Sequence, residues 1–255
     1  MQYLDAVLEI MQSARRLLFI TGAGLSADSG LPTYRGIGGL YESESTEDGV
    51  AIEDALSGQM LTLRPELTWK YLSQIERACR GKRPNAGHEV IASLESLWDV
   101  SVITQNIDGF HTAAGSSRVI EMHGNMQRLR CMQCGAMRSI ADYSSVVVPP
   151  SCSRCGGTER PDVVLFGEML PENALAEYYR VLNGGVDMVF SVGTSSLFPY
   201  IYGPVEQAIQ MNVPTVEVNP ALTQLSGRVQ FPVKARAAIW LQALWEKLEG
   251  PATRT

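Results

Sequence analysis

Four of the five cysteines in this 255-residue chain form two Cys-x-x-Cys pairs, and 17 residues separate the pairs. This is the spacing of a four-thiolate zinc site, which would tie two segments of the chain to one point. Four thiolates complete the tetrahedron around the ion, so the metal would be structural rather than catalytic. Redox-active disulfides are the alternative. A turn-forming glycine follows each pair, and the four candidate ligands are Cys131, Cys134, Cys152 and Cys155.

The composition restricts the partners of the chain. A net charge of -6 argues against direct nucleic-acid binding, because phosphate recognition draws on clustered Lys and Arg. No secretory signal is recognisable, and no apolar stretch is long enough to span a bilayer. We therefore expect a cytoplasmic protein that does not contact a membrane.

Short apolar runs alternate with helical patterns along most of the chain. The runs at 17–20, 100–104, 188–192 and 215–218 are typical of buried strands, and residues 89–97 and 205–211 have helical spacing. This alternation predicts an α/β fold with a parallel sheet. Residues 124 to 160, which contain the cysteine pairs, interrupt it and indicate a small inserted module. Trp240, Leu244 and Leu248 predict a final helix packed on the core.

The first predicted strand runs directly into Gly22-Ala23-Gly24. Glycines at this point let backbone amides approach a pyrophosphate. Ser29-Gly30-Leu31-Pro32 follows within a few residues and would end any helix there, unlike in a hydride-transfer dehydrogenase. A turn that serves only packing is the alternative interpretation.

Two further segments carry polar groups. Residues 104–108 follow the predicted strand that ends at Ile103, and they suit a ribose or amide ligand, although such a turn can also merely cap a strand. Of the three histidines, His88 lies at a predicted helix start and His111 in a helix-like continuation of the polar loop. His123, between a short apolar run and Gly124, is the best-placed candidate base, although a lone histidine is more often structural.

Taken together, these segments resemble the sirtuin family, the NAD-dependent protein lysine deacylases. The matching strings occur in family order, and they are GAGLSADSGLPTYR (22–35), PNAGH (84–88), TQNIDGFH (104–111), EMHGN (121–125), the two cysteine pairs, RPDVVLFGE (160–168), SVGTSS (191–196) and EVNP (217–220).

The resemblance implies a Rossmann-like parallel-sheet domain and a smaller domain that combines a zinc ribbon with a helical lobe. The Rossmann-like NAD-binding domain would comprise residues 1–36, 88–124 and 160–255. Residues 37–87 would form the cofactor loop and helical lobe, and 125–159 the zinc ribbon. NAD as co-substrate and an acyl-lysine protein or peptide would meet between the domains, and zinc would be structural.

The resemblance also assigns roles to individual residues. His123 would be the catalytic base, with Asn106 beside the reacting ribose. Tyr34 stands where the family usually has Phe at the nicotinamide gate. The expected NAD contacts are Gly22, Ala23, Gly24, Ser26, Tyr34, Arg35, Gln105, Asn106, Ile107, Asp108, Gly193, Thr194, Ser195, Asn219 and Pro220. The expected peptide contacts are Val164, Phe166, Gly167, Glu168 and Leu197.

Alternatives remain for the acyl group that is removed and for the class of reaction. Relatives that prefer succinyl or malonyl lysine resemble one another in a Tyr-x-x-Arg pair, and the matching positions here are Leu72 and Ile75. Because an unpaired carboxylate would be costly to bury there, we expect acetyl or another neutral acyl group. The rival functions are a mono-ADP-ribosyltransferase or NAD hydrolase, a non-enzymatic NAD or zinc-ribbon module, and a dehydrogenase.

Overall fold

A computed structural model describes residues 1–32 and 46–250 of the chain. The sequence-predicted contacts Tyr34 and Arg35 lie outside these residues. The strands, in chain order, are β1 Arg16–Thr21, β2 Asp99–Thr104, β3 Val119–Glu121, β4 Gly124–Cys131, β5 Met137–Ser139, β6 Glu159–Val163, β7 Met188–Val192, β8 Thr215–Val218 and β9 Phe231–Val233. The helices are α1 Leu4–Ser13, α2 Ala23–Ala27, α3 Ile52–Ala55, α4 Gly58–Leu63, α5 Pro65–Cys79, α6 Ala86–Leu94, α7 Phe110–Ala113, α8 Glu172–Gly184, α9 Pro199–Gln210 and α10 Ala237–Glu249.

Six strands form one sheet in the order β3-β2-β1-β7-β8-β9, and every neighbouring pair is parallel. This confirms the predicted α/β fold with a parallel sheet. The chain winds outward from β1 in one direction through β2 and β3, and in the other direction through β7, β8 and β9. In such sheets a crevice opens at the carboxyl ends of the two central strands, here β1 and β7.

Alternate residues of β1 face opposite sides of the sheet and enter different cores. Leu17 and Phe19 pack with α1, α6 and α10, whereas Leu18 and Ile20 pack with α8 and α9. Burial on both faces explains why β1 reads as an unbroken apolar run. Trp240 on α10 is fully buried, which confirms the predicted final helix.

The helices α6 and α9 begin and end earlier than the sequence predicted. Helix α6 begins three residues before Glu89, since the side chain of Asn85 accepts the backbone N–H of Gly87 and caps it. Helix α9 begins at Pro199 rather than 205, because proline is preorganised for a first helical turn. The short edge strand β9 was not predicted, since it has three residues and contains Pro232.

A second, antiparallel sheet follows the order β5-β4-β6. It shares a third hydrophobic core with α3, α4 and α5, in which Trp69 is fully buried and its indole donates to the carbonyl of Glu159. Strand β6 spans residue 160, the position of a sequence-predicted domain boundary. Within the described residues, no helix is both long and apolar enough to cross a membrane.

Candidate active site

The loops after the two central strands of the large sheet touch through their backbones. The N–H of Gly24 donates to the carbonyl of Gly193 at 2.8 Å, and the N–H of Gly22 donates to Val192 at 3.1 Å. A Cβ on Gly24 would lie 2.8 Å from the Cα of Gly193, a contact that leaves no room for a side chain. Gly24 is the second residue of the short helix α2, where the sequence predicted a loop. The helix has five residues and ends at Ala27, which agrees with the prediction that residues 29–32 would end any helix there.

The loop after β2 contributes a polar cluster beside this glycine turn. The side-chain amide of Asn106 donates to the carbonyl of Gly22 and to the hydroxyl of Ser26, both at 3.0 Å. The Ser26 hydroxyl donates in turn to Asp108 at 2.7 Å. Because both amide hydrogens of Asn106 are engaged, its side-chain carbonyl oxygen is the group left to meet a ligand. Burial raises the pKa of the Asp108 carboxyl.

On the other side of the crevice, Thr194, which follows β7, forms hydrogen bonds with residues that follow β2 and β8. Its hydroxyl accepts the side-chain amide of Gln105 at 2.7 Å, and its carbonyl accepts the amide of Asn219 at 2.9 Å. The structure thus brings together the carboxyl ends of β2, β7 and β8. Ser195 and Pro220 next to them are exposed. Among the expected NAD contacts, Ile107 has a different environment, because its side chain packs against the third hydrophobic core.

His123 lies between β3 and β4, where the chain passes from one sheet to the other. Its carbonyl accepts the N–H of Val164 at 2.9 Å. Burial lowers the pKa of its imidazole, and a hydrogen bond to the carbonyl of Gln105 partly opposes this shift. The ring is therefore neutral at pH 7, the state that a general base requires.

The remaining ring nitrogen of His123, Nε2, lies 2.7 Å from the hydroxyl of Tyr200 in the first turn of α9. Sequence reasoning missed Tyr200. The only local signal is its place directly after the Ser-Ser-Leu-Phe-Pro segment, and nothing in that segment indicates a contact across 77 residues of sequence.

The other two histidines have structural environments. The Nε2 of His111 pairs with the hydroxyl of Thr21 at 2.9 Å, and Nδ1 of His88 accepts the N–H of Asn85 at the start of α6. Their rings lie 5.0 Å apart and are both buried. These placements agree with the choice of His123 as the candidate base.

The sequence-predicted peptide contacts lie on two segments with different surroundings. The N–H of Phe166 donates to Leu56, and the side chain of Phe166 is exposed. Leu197, on the segment after β7, is 70% exposed. The carboxylate of Glu168 accepts the guanidinium of the buried Arg160 at 2.8 Å and also the N–H of Leu165. Glu168 therefore has an internal partner that the sequence did not reveal.

The four paired cysteines converge at one point. Their sulfur atoms all lie within 4.8 Å of one another, with Cys131 and Cys155 at 3.5 Å and Cys134 and Cys152 at 3.8 Å. These separations are far longer than a disulfide of about 2.05 Å and close to the edge of a zinc–thiolate tetrahedron with bonds of about 2.3 Å. The N–H of Gln133 also points at the sulfur of Cys131, which favours a thiolate. The group suits structural zinc.

Comparison with known proteins identifies the family. The model of the Sir2 family matches residues 22–198, which include both glycine loops, the polar cluster, His123 and the four cysteines. The chain belongs to the Sir2 family. The resemblance to sirtuins is thereby confirmed. Among Sir2 relatives, an NAD-dependent protein deacylase 2 of Pseudomonas aeruginosa is 51% identical over 238 residues, which cover 91% of each chain.

Solved Sir2 structures share the fold. The crystal structure of a Sir2 homologue in complex with NAD has a TM-score of 0.86 and 30% identity, and the match covers 96% of this chain and 93% of the other. A Sir2 structure with a deacetylated p53 peptide and 3'-O-acetyl ADP ribose has a TM-score of 0.84 and 26% identity, over 97% and 98% of the two chains. Sir2 membership leaves the dehydrogenase interpretation without support.

Proposed function

We propose that this protein is an NAD-dependent protein lysine deacylase that converts NAD and an acyl-lysine peptide into deacylated lysine, nicotinamide and O-acyl-ADP-ribose. The observation that carries this proposal is the position of His123. A neutral imidazole stands beside Gln105 at the crevice where the glycine turns and the Asn106 cluster meet. The Pseudomonas aeruginosa relative, which matches over 91% of each chain, is named an NAD-dependent protein deacylase.

The polar groups at the crevice suit NAD. When bound, NAD supplies a ribose carbon whose bond to nicotinamide breaks readily. Glycine turns and amide or hydroxyl side chains at the carboxyl ends of parallel strands are the groups that hold dinucleotides in such folds. We assign the NAD contacts to Gly22, Ala23, Gly24, Ser26, Gln105, Asn106, Ile107, Asp108, Gly193, Thr194, Ser195, Asn219 and Pro220.

In this proposal His123 accepts a proton from a ribose hydroxyl, while Asn106 directs its carbonyl oxygen at the ribose. Burial keeps the imidazole neutral and ready to accept that proton. A general base of this kind contributes about 10²- to 10⁴-fold to a rate. Activity should therefore fall as the pH drops through the pKa of the ring.

The peptide would lie in the cleft along 195–198, opposite Gly167, and pair through its backbone, so that many sequences fit. A solved Sir2 structure with a deacetylated p53 peptide supports a peptide substrate. The backbone N–H groups of Val164 and Phe166 already donate to the carbonyls of His123 and Leu56. These two residues would therefore contact the peptide through their side chains rather than through these N–H groups. Leu72 and Ile75 are apolar and contribute to the third core, which favours a neutral acyl group such as acetyl.

We further propose one zinc ion at the four cysteines, a cytoplasmic location, and the two-domain arrangement expected from the sequence. The antiparallel sheet around the cysteines shares its core with α3, α4 and α5, which supports a zinc-ribbon and helical-lobe domain distinct from the parallel sheet.

Mass spectrometry of the nucleotide product tests the function. With NAD and an acetyl-lysine peptide, we expect O-acetyl-ADP-ribose and the deacetylated peptide in equal amounts, and much less product with a succinyl-lysine peptide. His123→Ala should lose about 10²- to 10⁴-fold in turnover. Nicotinamide release that does not depend on the peptide would favour an NAD hydrolase. ADP-ribose attached to protein would favour a transferase, and unchanged turnover in His123→Ala would remove the proposed base.

A further inference from the structure

Tyr200 contacts the proposed base from a helix that sequence reasoning did not connect with it. It is the second residue of α9, directly after Pro199, and its hydroxyl lies 2.7 Å from Nε2 of His123. The two rings are nearly perpendicular, with centroids 5.9 Å apart.

The direction of this hydrogen bond follows from the other side of the imidazole. A backbone hydrogen bond at Gln105 raises the pKa of His123, so the backbone group is the carbonyl, which accepts a proton from the ring. Because Nε2 faces the hydroxyl of Tyr200, we assign this ring proton to Nδ1 and the lone pair to Nε2. The phenol of Tyr200 must then be the donor. Burial raises the pKa of Tyr200 to about 12, so the phenol keeps its proton at neutral pH. A neutral imidazole has one lone pair, and Tyr200 occupies it.

Phe198 completes an aromatic clamp around the base. Its ring stacks on Tyr200 at 5.5 Å and meets the edge of His123 at 6.2 Å. Phe198 also ends the segment 195–198 along which the peptide would lie. The orientation of His123 is therefore tied to the wall of the proposed peptide cleft.

We propose that Tyr200 is a positioning residue. Before the nucleotide binds, it holds His123 in the tautomer whose lone pair is on Nε2, and a ribose hydroxyl then displaces the Tyr200 hydroxyl from Nε2. This inference rests on the proposed function, since it takes His123 as the base. No bond other than hydrogen bonds changes in this exchange. The phenol releases the lone pair, and the ribose hydroxyl donates to it.

Removing the phenolic hydroxyl should therefore have two effects. The hydrogen bond stabilises the neutral ring, so Tyr200→Phe should raise the pKa of His123, by about half a pH unit or more. It also competes with the nucleotide, so ADP-ribose should bind about fivefold more tightly to the variant. Within the described residues, Tyr200 is the titratable group in contact with the ring. Glu121, two residues earlier, pairs instead with Arg128 and Asn125.

The test is an NMR titration of the histidine rings without cofactor, together with calorimetry of ADP-ribose binding. Tyr202→Phe on the same helix is the matched control, since its ring packs in the core that Leu18 and Ile20 share with α8 and α9, and it should change neither quantity. Thermal unfolding checks that both variants are folded. In the wild-type protein, ADP-ribose should also shift the ring resonances of Tyr200, a measurement that needs no variant.

Two results would overturn the proposal. The first is a Tyr200→Phe protein with an unchanged pKa of His123 and unchanged ADP-ribose affinity. The second is a loss of more than about 100-fold in kcat with unchanged affinity, which would place the hydroxyl in the reaction itself. Neither the titration nor the binding measurement needs turnover. Failure to deacylate would thus contradict the proposed function alone.

Discussion

Gly24 and Gly193 meet backbone to backbone across the crevice between β1 and β7, with the N–H of Gly24 bonded to the carbonyl of Gly193 at 2.8 Å. Gly193 has φ +60, in the left-handed region, and a Cβ there would lie 2.3 Å from the backbone nitrogen of Leu25. Both strand ends depend on this contact, since the loops they carry hold each other in place.

Gly193→Ala should therefore be severely destabilising. The left-handed backbone conformation and the backbone clash act together, and we expect the free energy of unfolding to fall by about 3 kcal/mol or more. Gly184→Ala is the control, because a Cβ there would meet nothing within 4 Å. It should change the free energy by less than about 1 kcal/mol. Urea unfolding followed by circular dichroism compares the two. Equal stability of both variants would contradict the close approach.

The sequence predicts the parts of this crevice that local patterns encode. The apolar runs of β1, β2, β7 and β8 are bounded by turn residues and buried on both faces, so they stand out from their neighbours. The spacing of the cysteine pairs directly encodes their convergence. The contact between Tyr200 and His123 and the pairing of Glu168 with Arg160 depend on how separate elements pack, and no local pattern carries that information.

The four-cysteine group should bind one zinc ion on which the antiparallel sheet depends. Cys134→Ser removes one of four ligands, and we expect the zinc content to fall from about one ion per chain to a small fraction, with a lower melting temperature. Cys79→Ala is the matched control, since this half-buried thiol lies outside the group. Elemental analysis and calorimetry measure both changes. Full zinc content in Cys134→Ser would argue against a four-thiolate site.

Stability should decrease in mild acid because of His88 and His111. Burial lowers the pKa of His88 to about 4, and burial together with the nearby His88 lowers that of His111 to about 3. In the unfolded chain both rings take up protons near the ordinary value of about 6.5. The unfolded state therefore binds more protons below that pH, and each ring reduces the free energy of unfolding by up to about 1.4 kcal/mol per pH unit.

This stability is complete above about pH 7 and is lost progressively below about pH 6.5, down to about pH 4 for His88 and about pH 3 for His111. His123, whose pKa is also lowered by burial, acts in the same direction. Urea unfolding at pH 7.5, 6.5 and 5.5 measures the slope. His111→Gln cannot titrate but can still bond to Thr21, so it should flatten the pH dependence. A wild-type protein equally stable at all three values would contradict the neutral, buried state of the rings.

Substitution of Glu168 distinguishes a role in stability from a role in binding the peptide. Burial alone would raise the pKa of its carboxyl, but hydrogen bonds from Arg160 and from the N–H of Leu165 outweigh this and lower it. Since Arg160 is buried, Glu168→Gln leaves a guanidinium without its counter-charge. We expect the free energy of unfolding to fall by about 2 to 4 kcal/mol, because the charge stays in a poorly solvated position.

Glu177→Gln is the control, since it breaks the exposed ion pair with Arg180 and should lower the free energy of unfolding by less than about 1 kcal/mol. If Glu168 instead contacts the peptide, Glu168→Gln would raise the KM for the acetyl-lysine peptide without changing the unfolding curve, and the internal role would be refuted.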